Sequence, residues 1–162
     1  MRRSTRTSIA VLVFALFFGS AGAATAAFKP SAPPPLADGS GRRINYSVSQ
    51  QRVALIEADG RQLRSYSVSG KAGVPRPGTY HVFSKSRVSS SGSLRLDHMV
   101  RFVPGDKAIG FHAIPVRQDG TPIQSEAELG QYRSHGCVRQ SSSDAAFLFD
   151  WAPVGTTVVV TA

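Results

Sequence analysis

The chain of 162 residues contains one cysteine, so no disulfide can form within it. A single domain of about 120 residues can bury an adequate core without disulfides. Acidic residues are also few, with 10 Asp and Glu against 19 Lys and Arg. They are scattered, and none form a carboxylate pair at a spacing suited to glycosidase acid–base chemistry. One cysteine and four dispersed histidines lack the clustered spacing of a zinc site. The sequence shows no glycine-rich phosphate loop, internal repeat, RNA-binding signature or basic helix. Its longest apolar run, Ile9 to Phe18, is too short for a comfortable membrane span. Neither a metal nor an organic cofactor is expected.

What is present is concentrated in Ser134-His135-Gly136-Cys137-Val138-Arg139. The lone cysteine follows a glycine and has His135 and Arg139 beside it. Cationic neighbours lower a thiol's pKa and favour the nucleophilic thiolate. His112 lies 25 residues upstream, at the end of an apolar run. It supplies a base for a cysteine–histidine nucleophilic pair. On these residues alone, a small buried cysteine without chemistry stays open as an alternative.

The N-terminus bears on where such chemistry would take place. Arg2, Arg3 and Arg6 precede the apolar run, and Ala21-Gly22-Ala23 and Ala24-Thr25-Ala26 follow it. Basic, then apolar, then small is the pattern of a secretory signal peptide, expected over residues 1–26. Residues 27–41, rich in Pro, Ala, Gly and Ser, read as an extended tether. The folded domain is then expected over residues 42–162, in the periplasmic or cell-wall space, with no stable membrane span after signal cleavage. The net charge of +9 falls to +6 without the three signal-segment arginines. Such a surface either attracts anionic wall polymers or membrane, or serves solubility alone. Export argues against nucleic acid as the partner.

Strands dominate the expected elements. Arg52 to Ala58 and Gln62 to Ser69 flank Asp59-Gly60, a two-residue hairpin signal. Further strands are expected at Gly78 to Ser84, His98 to Val103, Ala108 to Ile114 and Thr156 to Thr161. Ser89 to Gly92 read as a flexible loop. Ser125 to Glu128 has capping-box spacing for a short helix, and Ser141 to Asp144 caps a second helix running toward Trp151. Phe147 and Trp151, four apart, would share its core-facing side.

Taken in order, these segments resemble an L,D-transpeptidase catalytic domain over roughly Gln51 to Thr161. The resemblance rests on Ile109-Gly110-Phe111-His112, on Ser134 to Arg139, on Pro75-Arg76-Pro77-Gly78-Thr79-Tyr80 and on the closing Asp144-Ala145 and Trp151 to Thr156. It departs at Ala113, commonly glycine or serine in the family, and at Gln140, commonly asparagine or an apolar residue. The resemblance implies a mainly β domain, sandwich-like or barrel-like, with one or two short helices. It implies Cys137 as nucleophile and His112 as base, with no cofactor. Gly136, His135 and Ser134 would support the oxyanion and the loop, and Arg139 would fix the loop or bind a stem carboxylate. Because Ala113 offers no polar side chain, a backbone carbonyl is the expected orienter of His112. The implied partners are peptidoglycan stem peptides, as donor and as acceptor. A sortase-like cysteine transpeptidase and a non-catalytic wall-binding β module stay open as rivals. Papain-like enzymes place the cysteine before the histidine, the reverse of the order here.

Overall fold

The structure, a computed structural model, describes residues 41–162. The expected signal segment, and the expected tether apart from Gly41, lie outside the described residues. The strands are β1 Arg43–Ser47, β2 Arg52–Ile56, β3 Gln62–Ser67, β4 Gly78–His81, β5 Ser84–Ser91, β6 Leu94–Val103, β7 Ile109–Ala113, β8 Val138–Gln140 and β9 Thr157–Thr161. Among the described residues, one α-helix, α1 Ser142–Trp151, separates β8 from β9, and one 3-10 turn covers Glu126–Glu128. The first sheet has the order β3-β2-β1-β9-β4 and the second β5-β6-β7-β8. The fold is therefore mainly β, as expected.

Alternation builds the core between the sheets. Ile44 and Tyr46 of β1, Val53 and Leu55 of β2 and Val158 and Val160 of β9 point inward from the first sheet. Val100 and Phe102 of β6, Phe111 of β7 and Val138 of β8 meet them from the second. Tyr46 touches Phe111 edge-on at 6.0 Å between ring centres, and Phe111 stacks on Phe102 at 4.6 Å. Each such fully buried side chain stabilises the fold by roughly 1.5–3 kcal/mol, which takes the place of covalent staples. Ser141 Oγ accepts from Asp144 N at 3.0 Å and starts α1 at the expected place. Its buried face is Ala145, Leu148 and Trp151, while Phe147 is only partly buried and lies under the Arg64 guanidinium at 4.4 Å.

Two local expectations need correction. The β2–β3 hairpin closes on Glu57 and Arg61, joined by Glu57 N to Arg61 O at 2.9 Å. Its loop is thus the three residues Ala58 to Gly60, with Gly60 at φ +84°, and not a two-residue turn. Ser89 to Ser91 are not a flexible loop but the end of β5, paired with Leu94 to Leu96 of β6. A run of serines has low strand propensity, and the long β6 partner overrides it. The sequence reading also passed over two short strands. β1 forms because β2 and β9 hydrogen-bond to its two edges. β8 forms between β7 on one side and Ser69 on the other, where Ser69 and Arg139 exchange both backbone bonds at 2.9 Å.

Candidate active site

Strands β7 and β8 run parallel, with Phe111 beside Val138, His112 beside Arg139 and Ala113 beside Gln140. Phe111 and Val138 enter the core, so His112 and Arg139 occupy the opposite face of the sheet. Cys137 precedes β8 directly, two residues before Arg139, and alternation returns it to that same face. Strand spacing and rise put its Cα roughly 8 Å from that of His112, within side-chain reach.

The loop that carries Cys137 is moored to the end of the β2–β3 hairpin. Ser134 N donates to Gly70 O at 3.0 Å, and Gly136 N donates to Ser134 Oγ at 3.1 Å. Gly70 N donates in turn to the buried Gln51 side chain, which also donates to Tyr46 Oη at 3.1 Å. A Cβ on Gly70 would overlap that Tyr46 hydroxyl, so only glycine fits there. A Cβ on Gly136 would meet nothing within 4 Å, so the space over the loop backbone is open. His135 is exposed, while Ser134, Gly136 and Cys137 are half-buried.

His112 is 3% exposed, and its Nδ1 lies 2.6 Å from the Ala113 carbonyl. That carbonyl takes the Nδ1–H and leaves Nε2 as the basic nitrogen. Burial lowers the pKa of His112 to about 4, with Arg139 adding to the effect and the Ala113 bond opposing it. Cys137 does not follow the sequence expectation. Burial pushes its thiol pKa up, and a backbone hydrogen bond from Gly110 with the charges of Arg101 and Arg139 only partly offsets this. The thiol lies 3.7 Å from the Ala108 carbonyl, and its hydrogen bond goes there and not to His112. The resting pair is thus a neutral thiol and a neutral imidazole.

Arg139 is 8% exposed, so it is not a surface charge. Its Nη1 donates to Gln124 Oε1 at 3.1 Å, Gln124 Nε2 donates to Ser69 Oγ at 2.8 Å, and Ser69 Oγ donates to Glu128 O at 3.3 Å. This buried chain ties the segment after β7 to β8 and to Ser69. Gln140 faces the core, where its Oε1 accepts from Tyr66 Oη at 2.6 Å.

Residues 41–160 match the family model for YkuD, the L,D-transpeptidase catalytic domain. The chain belongs to this family. A 51-residue stretch is 41% identical to YciB of Bacillus subtilis, named as an L,D-transpeptidase, and spans 31% of this chain and 26% of YciB. The solved L,D-transpeptidase of Stackebrandtia nassauensis is 25% identical with a TM-score of 0.59, over 75% of this chain and 56% of that one. The fold also matches LdtMt1, an LD transpeptidase solved in complex with imipenem, at 24% identity and TM-score 0.60 over 75% of this chain and 59% of that one. The chain therefore spans little more than half the length of these solved relatives.

Three parts of this L,D-transpeptidase site escaped the sequence reading. Gln124 and Ser69 carry no motif, and only the folded loop brings them to Arg139. Arg101 was legible in principle, since alternation along His98 to Val103 sets it opposite the core residues Val100 and Phe102. Among the described residues, no group of His, Cys, Asp or Glu converges as a metal site, and no helix is long and apolar enough to cross a membrane.

The buried imidazole also makes stability depend on pH. Between about pH 6.5 and pH 4 the unfolded chain protonates this histidine and the native fold does not. The contribution is thus fully present above pH 6.5 and is lost as pH falls toward 4, by on the order of 3 kcal/mol. Urea unfolding at pH 7 and pH 4.5 checks this. Wild type is expected to lose more stability between the two than His112→Gln, and equal losses would contradict the assignment.

Proposed function

We propose that this L,D-transpeptidase domain is exported to the cell wall and acts on peptidoglycan tetrapeptide stems through a thioester on Cys137. The observation that carries the reading is the placement of the lone cysteine immediately before β8, on the same face as His112 of β7, whose Nδ1 is committed to Ala113 and whose imidazole is neutral above about pH 4. In the first half-reaction Sγ attacks the carbonyl of the stem's diamino acid. The thiol proton passes to His112 Nε2 and on to the departing nitrogen as the bond to the terminal D-alanine breaks. In the second, the side-chain amine of another stem attacks the thioester. A cross-link forms and the thiol is regenerated with the proton that His112 takes from that amine. Water as acceptor would give a shortened stem instead.

The neutral resting pair assigns His112 a definite task. It must remove the thiol proton during attack, since no standing thiolate is present. The oxyanion would be held by backbone N–H groups of the loop, each typically worth a 10²–10³-fold acceleration. Gly136 N–H already donates to Ser134 Oγ, so the amide of Cys137 is the readier donor and Gly136 would have to exchange partners. Ser134 and His135 shape the loop, and Arg139 fixes it through Gln124. The excess of basic over acidic residues suits an anionic wall polymer.

One observation favours the rival reading of an inert wall-binding module. The thiol's pKa is raised and its hydrogen bond goes to a backbone carbonyl. Incubation with a carbapenem and with a penicillin separates the two readings by intact-protein mass spectrometry. A carbapenem increment on wild type, absent in Cys137→Ala and slower with the penicillin, is expected. An unmodified wild type whose thiol is free and reduced would favour the module.

A further inference from the structure

Arg139 is buried beside the site, and among the described residues no carboxylate meets it. Buried charges ordinarily have a charged partner. The partner here is the neutral amide of Gln124, and the chain beyond it runs through Ser69 Oγ to the backbone carbonyl of Glu128. The acids of the neighbouring loop and helix are engaged elsewhere. The Glu128 carboxylate accepts from Ser125 N at 2.9 Å and pairs with Arg133 at 2.8 Å. Glu126 accepts from Ser142 N at 3.4 Å, and Asp144 pairs with Arg64 at 3.2 Å. The guanidinium is therefore fixed in place with its charge whole.

Its neighbour across the strands is His112. The two are register partners on parallel strands roughly 4.8 Å apart, and both side chains leave the core face. The imidazole is held by the Ala113 carbonyl and the guanidinium by Gln124, so neither is free to turn away. The other titratable or charged groups around the pair are few. Cys137 stands just before β8, and His135 lies exposed in the loop ahead of it. Arg101 of β6 is bound by Ser86 and Ser89 of β5 at 3.0 and 2.9 Å, away from the thiol. None of these is a carboxylate. A proton on His112 would thus place a second buried positive charge beside the first. Arg139 opposes that proton in the same direction as burial does, and it favours the thiolate of Cys137.

We propose that Gln124 and Arg139 are positioning residues for His112: Gln124 holds the guanidinium against the imidazole without neutralising it, so that His112 rests unprotonated and, once it has taken a proton, gives it up easily. The consequence for the reaction rests on the L,D-transpeptidase reading above. During acylation the Sγ–C bond forms, the C–N bond breaks, and the thiol proton passes through Nε2 to the departing nitrogen. An amine leaves poorly unless it is protonated, and a more acidic imidazolium protonates it faster. Glutamine suits position 124 because its amide oxygen accepts the N–H of Arg139 and brings no charge. A glutamate of the same size would neutralise Arg139 and let the imidazolium persist.

The proton affinity of His112 is read from its ring-proton NMR shift against pH in the folded protein. His112→Gln assigns the signal among the four histidines. Gln124→Glu is expected to raise the His112 midpoint by about one unit, the low end of the effect of a nearby charge. Arg139→Met, which removes the charge and keeps an unbranched apolar stem, is expected to raise it in the same direction. Arg139→Lys, which keeps the charge, is expected to stay near the wild-type midpoint. Gln124→Met removes the hydrogen bond without adding charge, and is expected to shift the midpoint less than half as far as Gln124→Glu, whatever its effect on unfolding temperature. In stem-peptide acylation the acid limb of the rate is expected to move up with the midpoint in Gln124→Glu. A midpoint unchanged in both Gln124→Glu and Arg139→Met would overturn the proposal, as would equal shifts in Gln124→Glu and Gln124→Met. Shifted midpoints in a protein that no stem peptide acylates at any pH would overturn the transpeptidase reading and leave the charge arrangement standing.

Discussion

Cys137→Ala is expected to abolish acyl-enzyme formation and cross-linking, with a loss beyond about 10⁴-fold, while the fold survives. The thiol is the only nucleophile in the loop that can form a thioester, and nothing in the chain can stand in for it. Non-additivity makes the effect nearly total, because His112 and the oxyanion donors have no covalent step to assist once Sγ is gone. The structural cost is small. Cys137 is half-buried and its thiol meets backbone groups of Ala108 and Gly110, so its removal should cost no more than about 1 kcal/mol. Thermal unfolding of the variant beside a stem-peptide acylation assay checks both halves. Cross-linking retained by a pure, folded Cys137→Ala protein would remove the nucleophile assignment.

His112→Ala is expected to slow acylation by about 10²–10⁴-fold, the usual contribution of a positioned general base. The effect should stand at the upper end here, because the resting thiol is protonated and its pKa is raised by burial. A thiolate held by an ion pair would depend less on the base once formed. His135→Ala is expected to change the rate less than tenfold, since His135 is exposed and the loop's hydrogen bonds run through Ser134 and Gly136. His112→Ala also empties a buried site, so His112→Gln serves as a variant of nearer volume, and both should lose the rate. A larger loss in His135→Ala than in His112→Ala would reverse the roles of the two histidines.

Much of this architecture is legible in single segments of the chain. Apolar and β-branched residues at Arg52 to Ile56 and Thr157 to Thr161 mark strands, Ser141 marks the start of α1, and Ser134 to Arg139 mark the loop that carries Cys137. The short strands β1 and β8 are less legible, because each exists through the partners on its two edges and not through its own propensity. The serine run of β5 is paired by β6 for the same reason. At the site, residue types alone pointed to a thiol pKa lowered by cationic neighbours. The fold decides otherwise, since burial of the thiol outweighs the charges of Arg101 and Arg139. Orientation of His112 by a backbone carbonyl was the expectation once Ala113 was seen to lack a polar side chain. The structure has Ala113's own carbonyl at Nδ1. Gln124 illustrates what stays hidden: it lies 15 residues from Arg139 in sequence and meets it only after the chain has looped back.

The central claim, a cysteine thioester formed from a tetrapeptide stem, is tested most directly by intact-protein mass spectrometry. Purified protein is incubated with a disaccharide-tetrapeptide and no amine acceptor, quenched in acid and digested to locate the modification. The account predicts an adduct on Cys137 equal to the donor less D-alanine, with free D-alanine released in equal amount. An unmodified Cys137 that is shown to be free and reduced, with the tetrapeptide recovered intact, would contradict it.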